Sequence, residues 1–379
     1  MNPGRAPSEK PAPSGRAALS GFRALGTCCA GESSAAKPMD IRKNHPLAPL
    51  TTFKVQASAE TYVRFAAEDE ILDFLACQPL ANRRWMVLGG GSNLLFVEDF
   101  DGVLLHPALQ GTAVLQARHG HVLVKAMAGE KWDDLVALAV ANGWGGVENL
   151  SHIPGSVGAS AVQNIGAYGV EVKDVIERIE AISIPERRMV TILPQDCGFA
   201  YRYSHFKGPW QGRFLITAVV FRLCRQPALV THYPGVLQAV EQIGALNLKN
   251  LRKAIVAIRQ GKLPDPARLG NAGSFFKNPV VSQTLLDGLL YDFPDLPRYP
   301  QGAKGFKLAA AWLIEKCGWK GRAVGHAAVH DRQALVLVNR GGATGREIFD
   351  LSEAVRRSVY EKFGVDLERE VLVVGSQPV

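Results

Sequence analysis

An arginine, a serine and a glutamate, widely separated along this 379-residue chain, have the most to offer chemically. Arg202 stands in Tyr201-Arg202-Tyr203-Ser204-His205-Phe206, where a guanidinium among aromatic rings suits a carboxylate held in a dry site. On residue type alone, a surface arginine lying along tyrosines is the slightly favoured reading. Ser274 lies between a glycine and two aromatics in Gly270-Asn271-Ala272-Gly273-Ser274-Phe275-Phe276-Lys277-Asn278-Pro279. The stretch lacks the GxSxG elbow of a hydrolase nucleophile, and a serine in such a setting is more often a cap than a catalyst. Glu370 precedes the apolar run Val371–Val374 and is either an acid aimed into a cleft or, the commoner case, a solvated strand end. His326 and His330 are four apart, but the strand-like Gln333–Asn339 follows and no glutamate accompanies them, so no zinc helix is expected.

Two glycine-rich stretches accompany these side chains. Gly89-Gly90-Gly91-Ser92-Asn93 follows the apolar Met86–Leu88, and residues without Cβ let backbone N–H groups approach an anion. Leu94 occupies the last glycine position of a GxGxxG fingerprint, so this is no dinucleotide motif, and a tight turn is an equal reading. From Ile153 to Gly169 small residues persist far beyond the needs of a turn. A loop of that length serves function, and its side chains are too small for a core, so it is expected to lie flat against a large planar or phosphorylated ligand, anchored by Ile153, Val157, Val162 and Ile165.

The elements that must position these groups follow from periodicity. Strands are expected at Tyr62–Ala66, Met86–Leu88, Val122–Ala126, Ile179–Ile184, Met189–Leu193, Phe214–Leu223, Ala334–Asn339 and Glu370–Val374. Helices are expected at Asp69–Cys77, Lys131–Asn142, Leu251–Gln260, Lys307–Lys316 and Arg346–Phe363, the last with Ile348, Leu351, Val355 and Val359 on one face and Gly364 as its stop. Lys262-Leu263-Pro264-Asp265-Pro266 reads as a rigid joint. The class is α+β, in more than one region, because 379 residues exceed what one core normally supports. Residues 1–38, rich in Pro, Ala, Gly, Ser and Arg without hydrophobic period, read as a disordered leader. Met39 is a candidate true start, and an organellar targeting helix is disfavoured by Glu9, Glu32 and the prolines.

Composition narrows the function. The net charge is +8, of which the leader's Arg5, Lys10, Arg16, Arg23 and Lys37 against Glu9 and Glu32 carry +3, leaving a modest +5 for 39–379. The basic residues are dispersed, which ranks nucleic-acid binding low and suits a phosphate-rich small ligand. Cys28, Cys29, Cys77, Cys197, Cys224 and Cys317 form no CxxC pair, so neither disulfides nor a metal site is expected. With no apolar run near 18 residues and no secretory core, a soluble, cytoplasmic chain is expected.

The order of GGGSN (89–93), IPGSVGASAVQNIGAYG (153–169), YRYSHF (201–206), KLPDP (262–266), GNAGSFFKNP (270–279), YPQ (299–301) and LEREV (367–371) closely resembles the UDP-N-acetylenolpyruvoylglucosamine reductase family. The resemblance runs from about Leu50 to Gly375, and Thr231-His232-Tyr233-Pro234 is similar to the tyrosine-bearing loop of the family's longer form. It implies a three-region flavoprotein with an FAD-binding fold of the vanillyl-alcohol-oxidase type and a C-terminal α+β substrate-binding domain. The implied partition is a leader over 1–44, FAD-binding regions over 45–105 and 106–263, a substrate-binding domain over 264–364, and a C-terminal strand with the catalytic glutamate over 365–379.

The resemblance further implies reduction of UDP-N-acetylglucosamine enolpyruvate to UDP-N-acetylmuramate via FAD, with NADPH as hydride donor, in peptidoglycan precursor synthesis; a monomer without nucleic-acid or membrane partners is expected. Ser274 takes the role of proton donor. Arg202 and a protonated Glu370 stabilise the enediolate-like state. The FAD cradle falls to Gly89, Gly90, Gly91, Ser92, Asn93, Ile153, Pro154, Gly155, Ser156, Gly158, Ala159, Ser160, Asn164, Gly166, Ala167, Tyr168 and Gly169, with Arg259 as a flavin contact. Tyr201, Tyr233, Lys262, Asn278 and Gln301 take the UDP-sugar. Leu372 stands where the family usually has an arginine. Two rival readings remain at this level: a sugar-lactone or alcohol oxidase of the same fold, which would need neither Ser274 nor Lys262, and a nucleic-acid binder resting on charge alone.

Overall fold

Strands Ser58–Phe65 and Phe100–Pro107 are apolar through most of their length and lie side by side, parallel, at the centre of a four-stranded sheet. Asp40–Pro46 pairs antiparallel on one side and Trp85–Val87 parallel on the other. Helix Glu68–Cys77 buries Ile71, Phe74 and Leu75, and its acidic first turn complements the helix N-terminus. The computed structural model describes residues 1, 39–78, 80, 83–118, 120–302 and 305–375. The leader assigned to 1–44 therefore lies outside the described residues over 2–38. Its last part is corrected: residues 40–44 belong to strand Asp40–Pro46, held by the ladder to Ser58–Phe65 and by Ile41 packing on the core beneath.

The middle region is a five-stranded antiparallel sheet in the order Arg188–Ile192, Ile176–Ser183, Phe214–Cys224, His121–Met127, Thr112–Ala117. Phe214–Cys224 is central and almost wholly buried because its residues feed two cores. Val219 and Phe221 pack with Trp132, Val157 and Ala161, while Leu215 joins Val63, Phe65 and Leu105 of the first sheet. The stretch 153–169 departs from the expected flat loop. It contains a helix, Val157–Gln163, whose Val157 and Ala161 enter the core, and a hairpin of Gly166–Ala167 with Val170–Glu171. Small side chains here let a helix pack closely: a Cβ on Gly158 would meet Ala128 Cβ at 2.9 Å. The hairpin turns on Tyr168 (φ +49°) and Gly169 (φ +84°), the left-handed pair that a two-residue connection demands.

The third region has a four-stranded antiparallel sheet, Gly270–Ser274, Val336–Asn339, Ala327–Val329, Ala323–Val324. It is covered by helix Gly345–Phe363, which buries Ile348, Leu351, Val355 and Val359 as its period requires. The helix expected over Lys307–Lys316 starts later, at Ala310, because Phe306–Leu308 is drawn into a small sheet between Val280–Val281 and Arg298–Pro300. The partition into regions does not coincide with separate cores. The largest core joins Leu47, Phe53, Leu95 and Phe96 of the first region to Phe275, Phe276, Leu313 and Val371. Among the described residues no helix is long and apolar enough to cross a membrane.

Helix Gly345–Phe363 is fixed at its start by a capping box: Thr344 Oγ1 accepts from Glu347 N (3.1 Å) and Glu347 Oε2 accepts from Thr344 N (2.8 Å). Replacing Thr344 by Ala is expected to cost about 1 kcal/mol. Urea denaturation checks this, the midpoint falling while the slope stays constant.

Candidate active site

One cleft collects residues from all three regions: Ser92 and Asn93 from the first, the face of helix Val157–Gln163 and Arg202 from the second, Gly273, Ser274 and Glu370 from the third. Its floor is made where the two glycine motifs touch. A Cβ on Gly90 would lie 2.7 Å from Gly155 Cα, one on Gly89 would lie 3.0 Å from both Ala159 Cβ and Ser156 Oγ, and Gly91 (φ +60°) sits against Leu50 O. Ser92 Oγ donates to Pro154 O (3.0 Å), closing the contact. Packed this way, the backbone N–H groups of Gly89, Gly90, Gly91, Ser92 and Asn93 donate to no acceptor among the described residues. A run of free N–H groups in a half-buried loop is costly unless an anion fills it.

Arg202 is held in an unusual backbone state. Ala200 and Tyr203 exchange both backbone hydrogen bonds at 3.0 Å across the turn Tyr201-Arg202. That turn forces Arg202 to φ +55°, where glycine or asparagine normally serves. The left-handed conformation costs a side-chain-bearing residue roughly 1–2 kcal/mol, so the turn must be pinned. Asn164, buried and itself left-handed at the end of helix Val157–Gln163, donates to Ala200 O (2.9 Å). Ser204 Oγ donates to Val162 O (2.6 Å), and Phe206 enters the core. The guanidinium then crosses the cleft wall: Nη2 donates to Gly166 O (2.8 Å), its Cζ lies 5.2 Å from the Tyr201 ring centre, and Nε lies 2.7 Å from Glu370 Oε1. That last contact is an ion pair in distance but is not aligned as a hydrogen bond.

Glu370 is brought to this arginine by backbone pairing. Phe275 O accepts from Glu370 N (2.8 Å), Glu368 O accepts from Lys277 N (2.9 Å), and Phe276 bridges Arg369. Beyond the glutamate, Leu372–Val374 adds in parallel to Leu94–Phe96, directly after the first glycine motif, and Asn93 Nδ2 donates to Glu370 O (3.0 Å). The same pairing fixes Ser274, which ends strand Gly270–Ser274 opposite Val336, after Gly273 (φ +70°). Its hydroxyl has no hydrogen-bond partner among the described residues, so the capping reading is set aside. Glu370 is not a solvated strand end and Arg202 is not a surface residue, their side chains being 14% and 19% exposed.

A model of the UDP-N-acetylenolpyruvoylglucosamine reductase C-terminal domain matches residues 265–374, and one of an FAD binding domain matches 59–192. The UDP-N-acetylenolpyruvoylglucosamine reductase of Bacteroides fragilis is 44% identical over 331 residues, 87% of this chain and 99% of that protein. The chain belongs to the UDP-N-acetylenolpyruvoylglucosamine reductase family. The Neisseria gonorrhoeae protein of that name is 44% identical over 333 residues, 87% of this chain and 96% of its own. The crystal structure of the Thermus caldophilus reductase shares the fold with a TM-score of 0.62 at 23% identity, covering 89% of this chain and 98% of that one.

For a member of this family the cradle fits FAD, on the free N–H run and on the glycine contacts that leave no space for side chains. Of the residues expected around the cofactor, Ser92, Asn93, Ile153, Pro154, Gly155, Ser156, Ala159, Ser160, Gly166 and Arg259 line the cleft. Burial lowers the pKa of Arg259, whose Nε donates to His152 O (3.2 Å). Gly89, Gly90, Gly91, Gly158, Asn164, Ala167, Tyr168 and Gly169 lie outside the lining, the first three packing beneath it against Ser156, Gly155 and Leu50. Of the expected sugar-nucleotide contacts, Tyr201, Tyr233, Lys262, Asn278 and Gln301 are likewise not in the lining. Asn278 Oδ1 is taken by Ala310 N (3.0 Å), capping the helix there, and Gln301 Nε2 turns back to Pro300 O (2.9 Å). Leu372, at the usual arginine position, is 51% exposed.

Three residues went unnoticed in the sequence. Asp133 accepts from His152 N (2.5 Å) and grips Arg252 in two hydrogen bonds (2.7 and 3.0 Å), setting where Ile153 enters the cleft. Burial opposes its ionisation, but Arg252 and the His152 N–H outweigh it and hold the pKa below the usual value. Gln163 and Lys207 form a chain behind Glu370: Lys207 Nζ donates to Gln163 Oε1 (2.7 Å) and to Arg202 O (3.1 Å), and Gln163 Nε2 donates to Glu370 Oε1 (3.3 Å). Gln163 sits within the glycine motif and Lys207 one residue past YRYSHF, so proximity to those blocks was the available signal.

Gly90→Ala forces a methyl into Gly155. The variant is expected to hold FAD at least about tenfold more weakly, a change worth about 1.4 kcal/mol. Flavin fluorescence recovered on titrating the apoprotein with FAD measures it, and an unaltered affinity would show that the loop contact does not shape the cradle.

Proposed function

We propose that this cleft reduces the enolpyruvyl group of UDP-N-acetylglucosamine enolpyruvate to the lactyl ether of UDP-N-acetylmuramate, in peptidoglycan precursor synthesis, with NADPH as the reductant. Family membership supplies the reaction and its UDP-sugar substrate. The observation that carries the assignment of residues is the convergence of Arg202, Ser274 and Glu370 on one cleft beside the glycine cradle. Held on the glycine cradle, FAD would supply the hydride-transfer chemistry that links the nicotinamide to the terminal carbon of the enol ether.

The protein's own groups do the rest. Arg202 and a protonated Glu370 face the substrate carboxylate and stabilise the negative charge that builds on it and on the adjacent carbon. The partly buried setting strengthens that interaction, because fewer waters compete for the charge. Ser274, with an uncommitted hydroxyl on a rigid strand end, gives its proton to that carbon. The run of N–H groups counters the charge of the cofactor diphosphate, and Arg259 contacts the flavin. Lys262, in the last turn of helix Leu248–Lys262, offers a point charge to the diphosphate of the sugar nucleotide. This reading also assigns 45–105 and 106–263 to FAD, 264–364 to the substrate and 365–379 to delivery of Glu370, in a cytoplasmic monomer.

Ser274→Ala is expected to leave flavin reduction by NADPH rapid and to slow reoxidation by the enolpyruvyl nucleotide on the order of a hundredfold or more. Stopped-flow measurement of the two half-reactions separates them. Equal slowing of both would reject the proton-donor role.

A further inference from the structure

We infer that Lys207 is a positioning residue that acts through Gln163 to decide which oxygen of Glu370 carries the proton. The inference rests on the assignment of Glu370 above and adds a residue to it.

A lysine ammonium has three donors and no acceptor, so only the oxygen of the Gln163 amide can face it. The 2.7 Å contact from Lys207 Nζ to Gln163 Oε1 therefore fixes the amide's polarity, and the NH₂ end is turned to Glu370 Oε1 at 3.3 Å. Arg202 Nε, another obligate donor, stands 2.7 Å from the same oxygen. The Nε contact is an ion pair rather than an aligned hydrogen bond, but with N–H-bearing groups on both sides a hydrogen on Oε1 would meet donors and no acceptor. A proton on Glu370 is thereby confined to Oε2, which has no protein hydrogen bond among the described residues. Glu370 lines the cleft and Lys207 does not, so the lysine works from behind.

Lys207 is well placed to be constant in this role. It is half-buried on the short helix His205–Lys207, directly after the turn that presents Arg202, and its second hydrogen bond goes to Arg202 O. One ammonium thus fixes both the backbone under the guanidinium and the amide beside the carboxyl. Burial lowers its pKa, with Lys277 adding to the effect and Glu370 and Glu368 opposing it. Without the ammonium, the Gln163 amide is free to rotate and present its carbonyl to Oε1. The proton would then settle on Oε1, directed at Gln163 rather than into the cleft.

The test uses the FAD-loaded full chain and four variants, Lys207→Met, Lys207→Arg, Gln163→Leu and the Lys207→Met/Gln163→Leu double, with Glu370→Gln measured in parallel. Lys207→Met should slow reoxidation by the enolpyruvyl nucleotide between about tenfold and a hundredfold, the scale of a misplaced reacting group. Reduction by NADPH should stay within about twofold, which also shows that the variant is folded and loaded. Lys207→Arg, which again offers only donors, should recover most of the rate. The double variant should be no slower than Gln163→Leu alone, since the lysine acts through the amide. In the apoprotein, the Gln163 side-chain ¹⁵N resonances, identified by their loss in Gln163→Leu, should move in Lys207→Met and be restored in Lys207→Arg. Additive losses in the double variant, or a normal reoxidation rate in Lys207→Met while Glu370→Gln is slow, would overturn the role of Lys207. Normal reoxidation in Glu370→Gln would instead overturn the assignment of Glu370, and this inference with it.

Discussion

The pairing of Glu368–Glu370 against Phe275–Lys277 is the constraint on which the site depends. Two backbone hydrogen bonds and the bridge between Phe276 and Arg369 place Ser274 and Glu370 on adjacent backbone segments, so their relative position is set by main chain rather than by side-chain rotamers. The following residues add to Leu94–Phe96, so the segment that carries the acid is also tied to the loop that forms the cradle. Phe275, Phe276 and Val371 are buried in the core shared by the first and third regions. Displacing Glu370 would therefore mean opening that core, which is why a carboxyl group can be kept beside an arginine without drifting to solvent.

The second wall is built on the opposite principle, a strained turn restrained from several sides. Arg202 in a left-handed conformation is unfavourable by itself, and such states persist only where the surroundings over-determine them. Here the surroundings are Asn164, Ser204, Phe206 and Lys207, each holding a different atom of the turn or of the segment after it. Three of these four are within YRYSHF and its immediate continuation. The motif is thus a device for aiming one guanidinium, and its hydroxyl and aromatic members serve position more than contact with ligand.

Much of this was legible in the sequence. The periods of Gly345–Phe363 and Phe214–Cys224 located those elements within a residue or so, because each has a wide face that must be buried. The cleft residues Ser92, Gly155, Arg202, Ser274 and Glu370 were reached through motif order, which encodes positions that lie far apart in the chain. What failed was local inference at small residues. Val157–Gln163 has the composition of a loop, yet it folds as a helix because its small side chains allow close packing on Ala128 and its two larger members reach the core. Residues alone also ranked Ser274 as a cap and Glu370 as exposed, since nothing in a local window reports a strand partner ninety or more residues away. Lys207 and Gln163 were invisible for the same reason: their meaning lies in a hydrogen-bond chain that exists only after folding.

Charge ties these parts to the ligands. Among the ionisable residues lining the cleft, Arg202 and Arg259 are cationic and Glu370 is the lone acid, with Lys207 close behind. A basic cleft suits two diphosphates and a carboxylate. The donors meet Glu370 on one side: Gln163 Nε2 donates to Oε1, Arg202 Nε stands 2.7 Å from the same oxygen without an aligned hydrogen bond, and Oε2 has no protein hydrogen bond among the described residues. The carboxyl is asymmetric by construction, and the asymmetry follows from residues that can only donate.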